Sequence, residues 1–497
     1  VTTTLLSICP ALRTAFERTR YDADSLLEAL GDAAHAALGR SEPVPIRLAS
    51  HTKGDLGVLI RLFLLVDDID ENDAARALAP LTVDAAVEAG LLDRVVEGTV
   101  RALLDVRPLD AGDGTRWIVS DLDGSMRPAP TAPDHVLGVG QASLSLLRGT
   151  PTTHVRDVLD VGTGCGVQAV HAAGYADSVT GTDISERSMQ LAAVTAALND
   201  LSLELISGSW FEPVAGRTFD RIVANPPFVV GLGTVEHSYR DSGIDLDGAS
   251  QLMIGEAPKY LKPGGTAAIL ASWLHVDGED WRARVASWLP DHGVDAWILQ
   301  RDVADPALYV GTWMRDGGLD PKDPANAALA QSWLDHFAAA DVSGIGFGFV
   351  YLRATDLPTD VLAEDLRHAF DDPLGNEAIA YFDRLTWLRE NDVAESVFEL
   401  DPATALEHVS LPGDDGWRTE VIRVHRGNGP NWQHEIDDVG AMLLAGMRAG
   451  GLPLNELVTL LAAAHGLDED ALSEAALELT VALVRHGLVV PSGVVPA

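Results

Sequence analysis

The chain has 497 residues, 47% hydrophobic and 22% charged, enough apolar material for roughly two to four domains with buried cores. Asp and Glu number 74 against 35 Lys and Arg; the net charge of −39 repels nucleic acid on average and argues against broad, non-specific binding of DNA or RNA. Two cysteines, Cys9 and Cys165, are too few for a disulfide framework or a cysteine-based structural zinc site, and no apolar run is long enough to span a membrane, so a cytoplasmic protein is expected.

Residues 1–125 read as a mainly helical domain. "DADSLLEALGDAAHAALG" (22–39) has helical spacing, with Leu26, Leu27 and Leu30 expected on one side. "GDLGVLIRLFLLV" (54–66) is apolar enough to be a buried helix. "DDIDEND" (67–73) alternates acids like a calcium loop, but it lacks that loop's central glycine and closing glutamate and reads as a helix N-terminus. Two helices follow, then two strand-like runs, "VRALLDVRPLD" and "TRWIVSD", around a Gly-Asp-Gly turn. Helices followed by a hairpin resemble a winged helix. A nucleic-acid reader of that type needs a basic recognition helix, whereas here Asp84, Glu88 and Asp93 surround Arg94, which favours packing or substrate docking.

The proline-rich "MRPAPTAPDHVLG" (126–138) marks a linker. Beyond it come seven strand-like runs: "VRDVLDVG", "SVTGTDIS", "LELISGS", "FDRIVANP", "GGTAAILAS", "VDAWILQ" and "GFGFVYLR". Helical segments separate the earlier ones, the pattern of a doubly wound α/β sheet over residues 126–355. Residues 356–497 read as an α+β domain, with a strand at "WRTEVIRVHRG", three helices and a last short strand. That tail also has the pattern of a small winged-helix or leader-peptide-binding module.

The chemistry lies where the strands end. "VLDVGTGCGVQAV" (158–170) runs from a strand through Asp160, Gly162, Thr163, Gly164 and Gly166 into a helix, and its glycines let backbone approach a ligand. Asp183 ends the next strand, just before Ile184; a carboxylate there can take the paired hydroxyls of a ribose, in NAD or in S-adenosylmethionine, or it can cap the following helix. Ser209 and Trp210 follow the third strand, where an adenine would be gripped. The fourth strand stops at Asn225-Pro226-Pro227-Phe228, because proline offers no N–H to continue a ladder. In a doubly wound sheet ligands sit beyond the carboxyl ends of the strands, and all four motifs are there in chain order.

With those residues in view, positions from about 134 to 355 resemble a class I S-adenosylmethionine-dependent methyltransferase. Within that superfamily "DVGTGCG…TDIS…GSWFEP…NPPF" is similar to the branch that methylates planar nitrogens, in release-factor glutamines and in the exocyclic amines of rRNA or DNA bases. "GSWFEP" resembles the glutamine enzymes, whereas Phe rather than Tyr at 228 resembles the rRNA enzymes. The resemblance implies S-adenosylmethionine as cofactor, held by Asp160, Gly162, Thr163, Gly164, Gly166, Asp183, Ile184, Ser209, Trp210 and Asn225, with no metal. It implies catalysis by Asn225, Pro226, Pro227 and Phe228, the carboxamide and a prolyl carbonyl accepting from the substrate NH₂ and the ring stacking on it. Val139, Gly140 and Gln141 would fold over the methionine end of the cofactor, unless Ser143 serves as a helix cap, and His237, Tyr239, Arg240 and Asp241 would face the substrate. Cys165 reads as a small residue beside the cofactor. The acidic surface favours a protein or peptide amide as acceptor, with an RNA or other nucleobase amine as the alternative and a small-molecule amine behind both. A binding protein that holds S-adenosylmethionine without catalysis, and an NAD-dependent oxidoreductase lacking a recognisable proton donor, complete the readings. Oligomeric state leaves no mark in the sequence.

Overall fold

The computed structural model describes residues 2–96, 98–122, 132, 134–227, 230–232, 243–316, 319–320, 322–366, 374–414 and 416–493. The chain divides into two compact units, residues 1–147 with 152–365 and residues 148–151 with 366–497.

The first unit opens with helices Thr2–Thr19, Ala23–Gly39 and Pro43–Ser50, then Gly54–Leu59 continuing as a π-helical turn, Ile60–Leu64. Asp22 caps the second helix, its Oδ1 accepting from the Ser25 N–H at 2.7 Å. Leu26 and Leu30 of this helix are buried but Leu27 is 42% exposed, because neighbours four apart share a face and the next residue is rotated about 100° away. The acid run at 67–73 is a helix start: Asp70 Oδ1 accepts from the N–H groups of Asn72 (2.9 Å) and Asp73 (3.3 Å) and caps Glu71–Leu78. Helix Val83–Glu88 follows. Strands Ile69–Asp70, Leu92–Val96 and Thr99–Ala102 form an antiparallel sheet with the last in the middle, and Asp105–Asp110 pairs with Thr115–Ser120 as a hairpin. The run expected as one strand over 100–110 is therefore two, broken at Leu103-Leu104, where Leu104 turns into the core.

Phe16, Tyr21, Phe63 and Trp117 meet in that core, with ring centroids 4.9–5.8 Å from Phe16. Tyr21 Oη donates to the Val106 carbonyl at 2.7 Å, and Trp117 Nε1 donates to the Tyr21 carbonyl at 2.6 Å, so both polar tips are satisfied in an apolar interior. The same apolar cluster continues into Val167 and Val170 of α2 (Val167–Ala172) and Leu191, Val194 and Leu198 of α3 (Glu186–Leu198). Asn199 closes that junction: its Oδ1 accepts from the Trp117 N–H (2.8 Å) and its Nδ2 donates to the Trp117 carbonyl (2.7 Å). Just before the sheet lies α1 (Gln141–Gly149).

The sheet strands, in chain order, are β1 (Val155–Val161), β2 (Ala176–Asp183), β3 (Glu204–Ser207), β4 (Phe219–Ala224), β5 (Leu261–Val276), β6 (His292–Ala304), β7 (Val342–Pro358) and β8 (Asp360–Asp365). Their spatial order is β8-β6-β7-β5-β4-β1-β2-β3, and only β7 runs antiparallel to its neighbours. This is a Rossmann-like sheet whose order reverses between β1 and β4, the switch point at which a crevice opens. The seven expected strands are all present, but the sheet has eight. After β7 the chain wraps around the start of β6, Thr359 N–H and Oγ1 donating to the carbonyls of Asp291 (3.1 Å) and Pro290 (2.6 Å), and returns as β8 along the far side of β6. Three acids in the six residues of "DVLAED" hide that strand from hydropathy.

In the second unit, helix Gly375–Glu390 is followed by an antiparallel sheet of Thr404–Gly413, Gly416–Arg426 and Gln433–Ile436. Helices Asp438–Gly446, Leu454–His465 and Glu469–Arg485 come next, and Phe398–Leu400 pairs with Val489–Pro491. The expected strand at 417–427 and the three helices after it are observed. Buried Glu377 accepts from Arg384 Nη2 (2.5 Å) and from Arg426 Nη1 (2.9 and 3.0 Å), so its charge is matched where water is absent.

Candidate active site

Asp160, the penultimate residue of β1, is buried. Its Oδ2 accepts from Thr163 Oγ1 at 2.7 Å, while Oδ1 is buried with no hydrogen-bond partner among the described residues. Burial drives its pKa up to about 7; the Thr163 hydrogen bond opposes the rise and the charge of Asp183 adds to it. Beyond β1 the chain turns sharply because one acceptor, the Thr182 carbonyl of β2, takes the N–H groups of both Gly162 and Thr163 at 2.9 Å. Gly162, Gly164 and Gly166 hold φ of 73°, 55° and 82°, left-handed values that a side chain would strain. A Cβ on Gly166 would also lie 3.3 Å from Ala192 of α3, so the turn is pressed against that helix.

Asp183 ends β2 with both oxygens oriented by backbone: Oδ2 accepts from the Gly164 N–H (2.9 Å) and Oδ1 from the Ser185 N–H (2.8 Å). Burial raises its pKa, and these N–H groups pull it back. The cap of α3 is Ser185, whose Oγ accepts from the Ser188 N–H at 3.2 Å, so the helix does not need Asp183 as its cap. Ile184 beside it is an apolar side chain left 68% exposed. The Gly208 N–H donates to the Asp183 carbonyl (3.0 Å) and brings the end of β3 alongside. There Ser209 and Trp210 are half-buried, with Trp210 in the left-handed region at φ 49°.

At the end of β4, Asn225 is half-buried, Pro226 buried and Pro227 half-buried. Among the described residues nothing hydrogen-bonds the Asn225 carboxamide. A Cβ built on Gly162 would lie 3.7 Å from Pro226 Cα, so the glycine turn faces the Asn-Pro-Pro turn across a gap that one added carbon would close. The Val230 N–H donates to Tyr309 Oη at 2.7 Å. Phe228 itself, and His237, Tyr239, Arg240 and Asp241, lie outside the described residues.

Upstream, Val139 is buried and α1 begins at Gln141, which places Ser143 inside the helix and not at its cap. The Ser143 carbonyl accepts from Gln168 Nε2 at 3.0 Å, tying α1 to the first turn of α2. Burial pushes the Cys165 thiol up to about 12, so it is an inert, small member of the turn. Among the described residues no group of His, Cys, Asp and Glu is placed to hold a metal, and no helix is long and apolar enough to cross a membrane. Sequence reading missed the Thr182 carbonyl, Gln168 and Tyr309. The first is backbone and has no sequence signature; the other two act across contacts with no local motif.

The family model described as "Methyltransferase small domain" matches residues 137–275. Two models, each described as a domain of unknown function (DUF7059 and DUF7782), match residues 18–103 and 379–491. "Ribosomal RNA small subunit methyltransferase C" of Alcanivorax borkumensis is 28% identical over 233 residues, 47% of this chain and 63% of that protein. "Putative protein N5-glutamine methyltransferase" of Methanocaldococcus jannaschii is 35% identical over 141 residues, 27% of this chain and 70% of that protein. "Release factor glutamine methyltransferase" of Geobacter sulfurreducens is 34% identical over 143 residues, 26% of this chain and 47% of that protein. The chain thus spans less than two thirds of the first and third of these relatives.

The residues present fit S-adenosylmethionine. Three positions of the turn carry no Cβ, Asp160 has a buried oxygen without a hydrogen-bond partner, Asp183 is pre-oriented by two N–H groups, and Ile184 offers an uncovered apolar wall.

Proposed function

Because the chain belongs to the class I S-adenosylmethionine-dependent methyltransferases, we propose that it methylates a planar nitrogen of a macromolecular substrate in the cytosol, a glutamine-like amide of a protein or peptide. The observation that carries this reading is the Asn225 carboxamide: half-buried, without a described partner, on a turn stiffened by two prolines and facing the glycine turn. Bound S-adenosylmethionine supplies an electrophilic methyl on a cationic sulfur. Asp183 would take the ribose hydroxyls, Ile184 and Trp210 the faces of the adenine, Ser209 an adenine edge, and Asp160 with Gly162, Thr163, Gly164 and Gly166 would shape the floor.

An amide nitrogen is a poor nucleophile because its lone pair is delocalised. Asn225 Oδ1 and the Pro226 carbonyl, acting as acceptors, would hold both N–H bonds and favour a pyramidal nitrogen with its lone pair directed at the methyl group. Pro226 and Pro227 keep those acceptors in place, so little reorganisation is needed as charge develops. Phe228 would stack on the flat group. The nitrogen then sheds one proton to water.

The flanks support a protein partner. Gly54–Leu64, Ile69–Asp70, Glu71–Leu78, Val83–Glu88, Leu92–Val96 and Thr99–Ala102 follow the helix, strand, helix, helix, strand, strand order of a winged helix, and we read this part of residues 1–125 as one. Its last helix carries Asp84 and Glu88, and Arg94 is spent on Glu71 (2.8 Å) and Asp84 (2.5 Å), which leaves little to attract phosphate. Residues 126–365, ten beyond the expected boundary at 355 because β8 belongs to the sheet, would then be the transferase and 366–497 a second substrate-positioning module, also of winged-helix type.

A nucleobase amine is the second reading, favoured by the match to a ribosomal RNA enzyme over 233 residues, longer than the 141 and 143 of the two glutamine enzymes. Extract from cells lacking the protein, incubated with it and labelled S-adenosylmethionine, separates the two. Label is expected in protease-sensitive material; label removed by ribonuclease selects the nucleobase, and no incorporation alongside tight cofactor binding selects a non-catalytic binder. In the same assay Asn225→Ala is expected to lower kcat by about 10²–10³ and leave cofactor affinity nearly intact. Equal loss of both would remove Asn225 from the reaction.

A further inference from the structure

The geometry points to Asp121, in the N-terminal module, as a positioning residue that sets cofactor affinity by joining the two walls of the cofactor site. This inference rests on the S-adenosylmethionine reading above. Asp121 stands one residue past the hairpin strand Thr115–Ser120. Its Oδ1 accepts from Arg187 Nη2 at 2.6 Å, in the first turn of α3, four residues beyond Asp183. Its Oδ2 accepts from the Val136 N–H at 2.9 Å, and its own N–H donates to the Val136 carbonyl at 3.2 Å.

Residues 136–140 lead into α1, and the module grips them at two further points. Arg107 Nη1 donates to the Val139 carbonyl at 3.3 Å, and a Cβ on Gly138 would lie 2.6 Å from Ser120 Oγ, so the two segments pack closely there. The bonds close on themselves. From Asp121 the path runs through Arg187 and α3 to Asp183, and from Asp183 Oδ2 to the Gly164 N–H. It continues through α2 and Gln168 Nε2 to the Ser143 carbonyl in α1, and back along 136–140 to Asp121.

One carboxylate therefore closes a ring around the turn that would hold the cofactor, the ribose side on one arm and the methionine side on the other. Asp121 and Arg187 are mostly buried, with side chains 17% and 28% exposed, so the pair is only partly screened by solvent. Losing the carboxylate loosens the link between the walls, while the Asn199–Trp117 and Arg107–Val139 bonds remain, and it moves none of the acceptors at the end of β4. The expected effect thus falls on cofactor binding and not on the chemical step.

The test is calorimetric titration of the full-length protein with S-adenosylmethionine, with steady-state kinetics on the same samples. Asp121→Ala should weaken cofactor Kd and raise cofactor KM by about tenfold while kcat stays within about twofold. Asp121→Asn keeps an acceptor for the Val136 N–H but loses the ion pair, and should weaken binding by about threefold. Arg187→Ala should weaken binding, and combining it with Asp121→Ala should add less than the two single effects together. A purely structural role would instead lower the melting temperature and the active fraction, leaving KM alone. If Asp121→Ala does not fold, Asp121→Asn decides. Variants that bind as tightly as wild type overturn the inference and leave the methyltransferase reading standing. A wild-type protein that does not bind S-adenosylmethionine takes down both.

Discussion

The two flanks of the transferase sheet look alike in sequence and are built differently. Both mix short helices with small antiparallel sheets. The aromatic group of the N-terminal flank, Phe16, Tyr21, Phe63 and Trp117, lies in one apolar cluster with α2 and α3, the helices that start at the glycine turn and after Asp183. The C-terminal flank belongs to a separate compact unit. In it Glu377 is buried and paired with two arginines, and Phe382, Leu443 and Leu444 are buried. The difference teaches that pattern identifies the parts of a module, whereas membership of the enzyme depends on where the apolar faces find their partners. Small modules that cannot bury enough surface alone borrow a core.

Three experiments sharpen or break that contrast. The largest effect should come from truncation. A chain beginning at residue 123 would expose Val167, Val170, Leu191, Val194 and Leu198, and is expected to be insoluble or to bind no cofactor. A chain ending at residue 365 should keep cofactor Kd within about threefold, because every residue of the cofactor site lies in the first unit. A soluble, binding-competent chain lacking residues 1–122 would erase the distinction. Next in size is Glu377→Ala. It leaves two guanidinium groups facing an empty place and should cost the second unit about 3–5 kcal/mol. Calorimetry should show that unit melting earlier while cofactor affinity and the other transition hold still; joint movement of both transitions would contradict separate units. The smallest effect is that of Tyr21→Phe, which removes the bond to the Val106 carbonyl and should cost about 1–2 kcal/mol. Its loss should appear in the transition that cofactor binding raises, since Tyr21 shares a cluster with α2 and α3. A shift in the other transition alone would place the residue outside the enzyme core.

Much of the transferase was legible before any coordinates. Seven strands announce themselves as apolar runs bounded by glycine or proline, and the site residues sit where those runs end. That legibility is physical: Gly162, Gly164 and Gly166 admit left-handed backbone angles and Pro226 and Pro227 fix theirs, so their effect is written where they stand. β8 was not legible, because Asp360, Glu364 and Asp365 mask a strand whose partner is 65 residues earlier in chain numbering at Gln300 and Asp365. Leu27 misled for a related reason, since apolar character alone does not fix the angle a residue occupies on a helix. Contacts such as Asn199 with Trp117, Gln168 with Ser143 and Tyr309 with Val230 join distant segments through ordinary residue types. Nothing in the local pattern marks them, yet they fix the walls within which the motif residues work.

β8 has one more effect, on the rim of the sheet. It is the outermost strand of the sheet beside β6, and three of its six residues are acids. These acids are engaged within the fold, Asp365 accepting from Arg282 Nη2 at 2.8 Å and Glu364 from Trp297 Nε1 at 3.1 Å, so the strand pins the short helix Trp281–Ala286 and β6 together at the rim of the sheet.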